Sequence, residues 1–220
     1  FLVGRFIGSD ALAAVGSSYT LMTFLTSILL GLSMGSGAAF SIHFGAREEE
    51  RLKSSIFTSF VLILAVTVVL TVLVFVLLDP ILVVLQIPAS LYAMTRDYLW
   101  VIFWGISATF LYNFFASLLR ALGNSATPLI FLGVSAVLNI VLDVVLIVNA
   151  NMGVAGAALA TVIAQFAAGL GLLVYALLRC PQLRLSRRHL RVTAAGLREI
   201  ANLSFLTCLQ QSVMNFGILE

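Results

Sequence analysis

Asp143 is the only charged residue in an apolar stretch that runs from Pro128 to Val148. A carboxylate at the centre of a bilayer costs on the order of 3 kcal/mol on insertion scales, and acids at membrane depth usually belong to ion or proton pathways. Asn139 precedes Asp143 by four residues, so that in a helix both side chains lie on one face. The sequence therefore predicts a site for a proton or a small cation at Asp143 and Asn139.

Thr161 and Gln165 occupy the next apolar stretch, which begins near Val154 after a short turn. At a rise of 1.5 Å per residue, Asp143 lies roughly 8 Å below the membrane boundary, Thr161 lies at about 10 Å, and Gln165 is one turn deeper. Hydrogen bonds across this hairpin would hold two helices together. That role explains the neutral polar residues, but it does not explain an acid.

Tyr112 and Asn113 lie in the preceding apolar stretch, nearer its opposite end. They could line the same cavity, or they could serve only packing and hydrogen bonding within the core, and the sequence leaves both interpretations open. Cys180 and Cys208 are far apart and belong to no CxxC pair, so no structural metal site is indicated.

A hydrolase motif, GxSxG, occurs at residues 31–35 with Ser33 at its centre. Such a serine works when a strand-to-helix turn exposes it beside a histidine. Here the motif lies inside an apolar stretch, and His43 and His189 are predicted at a span end and in a loop. Small residues at this spacing more often let helices pack closely, so the sequence predicts a packing helix and no enzyme activity.

The spacing of charges predicts the elements that carry these residues. The chain is 61% hydrophobic and 10% charged, whereas soluble domains are about one quarter charged. Its apolar tracts reach the roughly 18 residues that indicate a spanning helix, and backbone groups in lipid must bond within their own segment. The predicted fold class is all-α, a polytopic transmembrane helix bundle with spans near residues 1–8 (partial), 20–43, 56–78, 98–119, 128–148 and 154–178.

Basic residues collect on one side of these spans. One set of loops carries Arg47, Arg51, Lys53, Arg120, Arg179, Arg184, Arg187, Arg188, Arg191 and Arg198, and the other carries Arg5 and Arg96. The positive-inside rule then predicts cytoplasmic loops near residues 50, 120 and 190 of a multi-pass protein in the plasma (inner) membrane. For the basic stretch 179–198, contact with anionic lipid is favoured over nucleic acid.

Four segments, taken in order, resemble the multidrug and toxic compound extrusion (MATE) family of cation-coupled efflux transporters. They are GRFIGSDALAAVG (4–16), LRALGNSATP (119–128), LNIVLD (138–143) and GVAGAALATVIAQ (153–165). The resemblance implies two six-helix lobes that rock around a central cavity. This chain would supply the N-terminal lobe (1–178), a cytoplasmic linker (179–198) and the start of the C-terminal lobe (199–220), with the rest of that lobe in the same polypeptide.

The resemblance also implies the roles of particular residues. The family's cation-binding asparagine, aspartate and threonine correspond to Asn139, Asp143 and Thr161. A further acid on the family's first helix would fall just before Phe1. Many relatives have proline directly after the helix-five acid and near the start of helix seven, where this chain has Val144 and Leu206, so kinks at those points are not expected here.

The function implied is a secondary active antiporter that exports organic cations or drugs in exchange for H⁺ or Na⁺, with no other cofactor and with Asp143 as a possible Na⁺ ligand. A lipid-linked oligosaccharide flippase of related architecture is the alternative. Its anionic diphosphate cargo would call for Arg or Lys inside the cavity, and no complete predicted span contains one. A membrane-embedded hydrolase using Ser33 is the alternative from another class.

Overall fold

The computed structural model of the chain describes residues 9–84, 87, 89–183 and 192–216. Those residues form the α-helices α1 Ser9–Gly45, α2 Glu49–Val76, α3 Leu78–Val84, α4 Ala89–Ile102, α5 Gly105–Ala121, α6 Ala126–Asp143, α7 Gly153–Arg179 and α8 Ala194–Phe216. A π-helix, Val144–Asn149, continues α6, and a 3₁₀ turn, Pro181–Leu183, follows α7. The described residues contain no β-strand, and the predicted all-α fold class is confirmed.

Several of the described helices are long and apolar enough to cross a membrane. They are Leu21–Gly45 within α1, Glu49–Val76, Ala126–Asn149 and Gly153–Arg179. Their positions agree with the predicted spans 20–43, 128–148 and 154–178 to within a few residues, while α2 begins at Glu49 rather than at residue 56. The extra turns of α2 are polar, and Lys53 pairs with Glu49 at 3.8 Å. The predicted partial span 1–8 lies outside the described residues.

The span predicted at 98–119 begins earlier and is broken. Leu91–Ile102 and Gly105–Ala121 together are long enough to cross, and their axes differ by 41°. The break coincides with a close approach from α7, because a β-carbon at Gly105 would lie 2.8 Å from the Gln165 carboxamide oxygen. Apolar content alone does not reveal such a break, since the residues on both sides are hydrophobic.

Polar side chains of α3 and α4 are hydrogen-bonded to one another at the end of the bundle where α2 ends. Asp79 Oδ1 accepts hydrogen bonds from Arg96 Nε at 2.9 Å and from the Tyr92 hydroxyl at 3.0 Å. The Arg96 bond, followed by the Tyr92 bond, lowers the pKa of the Asp79 carboxyl. These two hydrogen bonds link α3 to the first half of the broken span.

Aromatic side chains fill the core around α5. Phe114 lies 5.9 Å from Phe40 of α1 and 5.4 Å from Phe60 of α2, ring centre to ring centre and edge to face. Phe110 and Phe115 of α5 extend the same cluster. Edge-to-face pairs stabilise packing beyond the area they bury. Helix α5 is thus the central element against which α1, α2 and α7 pack.

Small residues let helix backbones approach one another, as the sequence predicted for α1. A β-carbon at Gly37 would lie 3.2 Å from Ser117 of α5. At Gly35 it would overlap the backbone of Ser204 in α8. Helix α6 is different, since Leu129, Val134 and other apolar side chains on it are exposed. Such a surface suits lipid contact.

Candidate functional site

A tight turn between α6 and α7 sets the depth of the candidate site. Asn151 and Gly153 have φ angles of 51° and 60°, a left-handed conformation that asparagine and glycine tolerate best. The Met152 N–H donates to the Leu146 carbonyl at 3.0 Å. A β-carbon at Gly156 would lie 3.2 Å from the same carbonyl oxygen. The hairpin is therefore closed tightly, and residues at equal distance from the turn face one another.

Asn139 and Thr161 meet across this hairpin. Asn139 Nδ2 donates to Thr161 Oγ1 at 3.3 Å, and the Thr161 hydroxyl donates to the Ala157 carbonyl at 3.0 Å. Further from the turn, Ser135 Oγ donates to the Ala164 carbonyl at 2.8 Å. The structure thus brings together two of the predicted site residues. Ser135 was missed by the sequence reasoning, although its position one turn from Asn139 was a usable signal.

Asp143 is the last residue of α6, one turn nearer the hairpin turn than Asn139. Its side chain is half-buried, and its Oδ1 atom is shielded from solvent without a hydrogen-bond partner among the described residues. Buried polar atoms are almost always hydrogen-bonded, so such an exception calls for a specific explanation. A carboxylate oxygen of this kind can take up a proton or contact a small cation.

Tyr98 of α4 lies within electrostatic reach of the Asp143 carboxyl. The sequence reasoning did not identify this tyrosine. The signal was available, because Tyr98 was placed at the start of a predicted span and hence near the same membrane boundary as Asp143. Carboxylate, carboxamide and hydroxyl oxygens are ligands for hard cations. The described residues contain no cluster of three or more His, Cys, Asp or Glu side chains that could hold a metal.

The backbone changes its helical form directly after Asp143. The π-helix Val144–Asn149 begins there, and the Val144 N–H still donates to the Ile140 carbonyl. Proline at this position would lack that donor. Instead of a proline kink, this chain has a wider π turn, a feature that in other proteins often accompanies functional sites.

The depth of Gln165 suggested that its side chain faces α6, but it contacts α5 instead. Its Oε1 atom accepts a hydrogen bond from Thr109 Oγ1 of α5 at 3.3 Å and lies against Gly105 at the helix break. The spacing from Thr161 gives its depth correctly, but close packing against Gly105 turns the carboxamide toward α5. Gln165 therefore links α7 to the broken span rather than to α6.

Tyr112 and Asn113 take part in local hydrogen bonds. The Tyr112 hydroxyl donates to the Pro128 carbonyl at 3.1 Å, and Asn113 Nδ2 donates to the Thr109 carbonyl within its own helix at 2.8 Å. Both side chains are partly buried. These contacts favour the structural role that the sequence left open for them.

Ser33 has no base in hydrogen-bond contact among the described residues. Its hydroxyl is buried without a hydrogen-bond partner among the described residues. Both ring nitrogens of His43 lie beside glutamates, Glu48 at 3.3 Å and Glu199 at 3.2 Å. His189 lies outside the described residues. The geometry around Ser33 gives no support to hydrolysis.

Comparison with known proteins identifies similar sequences along the chain. The family model described as MatE matches residues 1–145. The probable multidrug resistance protein YoeA of Bacillus subtilis is 36% identical over 177 residues, which cover 79% of this chain and 38% of the relative. The multidrug export protein MepA of Staphylococcus aureus is 30% identical over an alignment of 226 positions, which covers 98% of this chain and 48% of the relative.

Solved structures show the same arrangement of helices. An outward-facing multidrug resistance MATE family transporter matches with a TM-score of 0.90 at 24% identity, covering 99% of this chain and 48% of the other. An inward-facing one matches with a TM-score of 0.89 at 23% identity, covering 96% and 48%. The chain thus spans less than half the length of the relatives and structures compared with it here.

Proposed function

Because the chain belongs to the MatE family, we propose that it is part of a secondary active antiporter that exports organic cations or drugs in exchange for H⁺ or Na⁺. The observation that carries the proposal is the buried Oδ1 atom of Asp143, which has no hydrogen-bond partner among the described residues. Asp143 lies one turn from Asn139, which is hydrogen-bonded to Thr161. The names of the relatives, multidrug resistance and export proteins, support the substrate class.

Coupling requires that the ion bind more tightly to one arrangement of the protein than to another, since only differential affinity shifts such an equilibrium. A proton or Na⁺ at Asp143 neutralises the one acid between Ala126 and Asn149 and so removes the cost of its charge in a half-buried position. Asn139 and Thr161 supply the neighbouring oxygens. The structures of relatives captured facing outward and inward support alternating access.

The same proposal assigns the orientation and the parts of the chain. The end of the bundle where α1 ends and α2 begins carries Arg47, Arg51 and Lys53, and we place it in the cytoplasm of a plasma (inner) membrane protein. Residues 1–178 form the N-terminal lobe, 179–198 form a linker, and 199–220 begin the C-terminal lobe. On this assignment α8 reaches from the linker into the second lobe.

The alternatives have less support in the structure. Lipid-linked oligosaccharide transport would need a cation within the cavity, and the polar side chains found between α6 and α7 are neutral or acidic. Hydrolysis would need a base hydrogen-bonded to Ser33, and the Ser33 hydroxyl has no hydrogen-bond partner among the described residues.

Replacement of Asp143 by Asn in the full-length protein tests the proposal. Gradient-driven efflux of ethidium from cells should be abolished, because the amide neither ionises nor takes up a proton at working pH. Asp97→Asn is the matched control, since this acid of α4 is exposed, and it should leave efflux unchanged. Equal amounts of both variants in the membrane must be verified. Undiminished efflux by Asp143→Asn would refute the assignment.

A further inference from the structure

A cavity of about 150 Å³ opens on the surface of the bundle between α2 and α5. The residues that line it include Leu64, Val68, Thr71 and Val72 of α2 and Ser107 and Phe110 of α5. The Thr71 hydroxyl donates to the Thr67 carbonyl within its own helix at 2.7 Å. An apolar cavity of roughly 150 Å³ stays dry and can hold a molecule such as benzene. The cavity, here called the α2–α5 groove, therefore suits hydrocarbon.

The groove lies along a helix that is suited to lipid contact. Helix α2 is the most apolar of the described helices that can cross a membrane, and most of it is not buried inside the bundle. At 1.5 Å per residue, Val72 lies about 6 Å and Leu64 about 18 Å from the end of α2 at Val76. The hydrocarbon core is about 30 Å thick, so the groove extends from near one boundary to about the middle. One acyl chain covers the same range of depth.

The described part of the chain leaves the groove uncovered. Helix α8 packs mainly on α1 and approaches α2 near Thr58, where a β-carbon at Gly196 would lie 3.8 Å from the threonine side chain. Thr58 is about 9 Å along α2 from Leu64, on the side away from Val72. The rim residues Leu64, Val68 and Val72 are all exposed. Lipid is therefore the occupant that the surroundings of this span supply.

Aromatic side chains lie between the groove and the nearer membrane boundary. Phe75, one turn after Thr71, lies 4.8 Å from Trp100 and 5.4 Å from Trp104, ring centre to ring centre. The two tryptophans are 47% and 55% exposed. Tryptophan is enriched at membrane–water interfaces because its ring is apolar and its N–H is polar. The exposed indole faces thus give an acyl chain an apolar path from the boundary to the groove.

A cation lies one turn further out. Arg96 precedes Trp100 by four residues on α4, so both side chains lie on one face. Its Nε atom donates to Asp79 Oδ1 at 2.9 Å and is the guanidinium nitrogen with an acceptor among the described residues. The other N–H groups of an arginine can bind a phosphate in a bidentate manner. Asp79 and Asp97 act on Arg96 electrostatically, so a headgroup that carries both a phosphate and an amine fits better than a purely anionic one.

We propose that the α2–α5 groove, Trp100, Trp104 and Arg96 form a binding site for one phospholipid with a zwitterionic headgroup. One acyl chain occupies the groove, and the phosphate contacts Arg96. A chain in the groove touches two helices and gains dispersion contacts that a chain on a single helix surface lacks. It also fills the space between α2 and the broken span, and so supports the 41° bend. Only the name of this leaflet, the outer one, rests on the orientation given with the proposed function.

Photocrosslinking of a lipid to the full-length protein tests the site. The protein is reconstituted in phosphatidylethanolamine vesicles that contain a small fraction of the same lipid with a diazirine in the middle of one acyl chain. Labelled residues are then identified by mass spectrometry. Label should be enriched several-fold at Val68 and Val72 over Val69 and Leu73, which are exposed at the same depth on α2 but do not line the groove.

Variants that fill the groove provide the controls. Thr71→Phe and Ser107→Leu add bulk from opposite walls, and each should lose the enrichment, whereas Val69→Phe adds an aromatic ring outside the groove and should keep it. Arg96→Gln should lower the enrichment, because the phosphate loses its cation. Even labelling of groove and control positions, enrichment that survives both fillings, or enrichment unaffected by Arg96→Gln would overturn the proposal. The labelling needs neither drug nor ion gradient, so its outcome and that of the efflux assay are independent.

Discussion

At the level of single residues, the proposed coupling depends on Asp143, whose buried Oδ1 atom has no hydrogen-bond partner among the described residues. Asp143 was recognisable in the sequence because charge is so rare in its surroundings. Its neighbours were recognisable only in part: depth matching across the hairpin identified Asn139 and Thr161, which the structure joins at 3.3 Å. The same argument could not determine which way Gln165 turns, because that depends on the space left by Gly105.

The hydroxyl of Thr161 is expected to orient Asn139 at the site. Thr161→Val keeps the shape of the side chain but removes the oxygen that accepts the Asn139 hydrogen bond. The loss of one neutral hydrogen bond, about 0.5–1.5 kcal/mol, should weaken the apparent affinity for the coupling ion by about two- to tenfold. Transport rates measured against ion concentration give this affinity.

Thr161→Ser serves as the control for that experiment. It retains the hydroxyl and should bind the coupling ion nearly as well as the original protein. Equal affinities in the Val and Ser variants would show that the hydroxyl is not needed at the site.

At the level of elements, apolar length predicted the positions of the helices well and predicted their irregularities poorly. Helices α1, α6 and α7 cover the predicted spans because hydrophobic length is set by the bilayer. The 41° bend between α4 and α5 and the π turn after Asp143 depend on contacts between helices. Neither feature leaves a periodic signal, and the residues around both are apolar.

Close packing of α5 against α7 should be sensitive to a single β-carbon. At Gly169 that atom would lie 3.0 Å from the Ala108 carbonyl and 3.3 Å from the Tyr112 backbone nitrogen. Gly169→Val should therefore push two backbones apart at a cost of about 1–3 kcal/mol, typical of overpacked cores. A lower melting temperature of the purified protein in detergent would report this cost.

Gly133→Val is the matched comparison for this substitution. Gly133 lies within α6, and a β-carbon there would meet no atom within 4 Å. Valine is also a better helix former than glycine, so the melting temperature should stay the same or rise. A similar loss of stability in both variants would contradict the packing argument.

At the level of the whole molecule, titratable side chains occupy both ends of the bundle. Asp143 lies near the turn between α6 and α7, and His43 lies where α1 meets α8. The first is proposed to couple ion movement to export, and the second connects α1 to Glu199 of α8. The sequence indicated the first through its rarity of charge. It could not indicate the second, because Glu199 is distant from His43 along the chain.

The central claim is that Asp143 couples the movement of an ion to that of a drug. The full-length protein, reconstituted in vesicles, should respond to an imposed gradient of ethidium by moving H⁺ or Na⁺ in the opposite direction, as measured with a pH-sensitive dye or radioactive sodium. Asp97→Asn should behave like the original protein, and Asp143→Asn should move no ion. Drug-driven ion movement that is the same in Asp143→Asn as in the original protein would contradict the account.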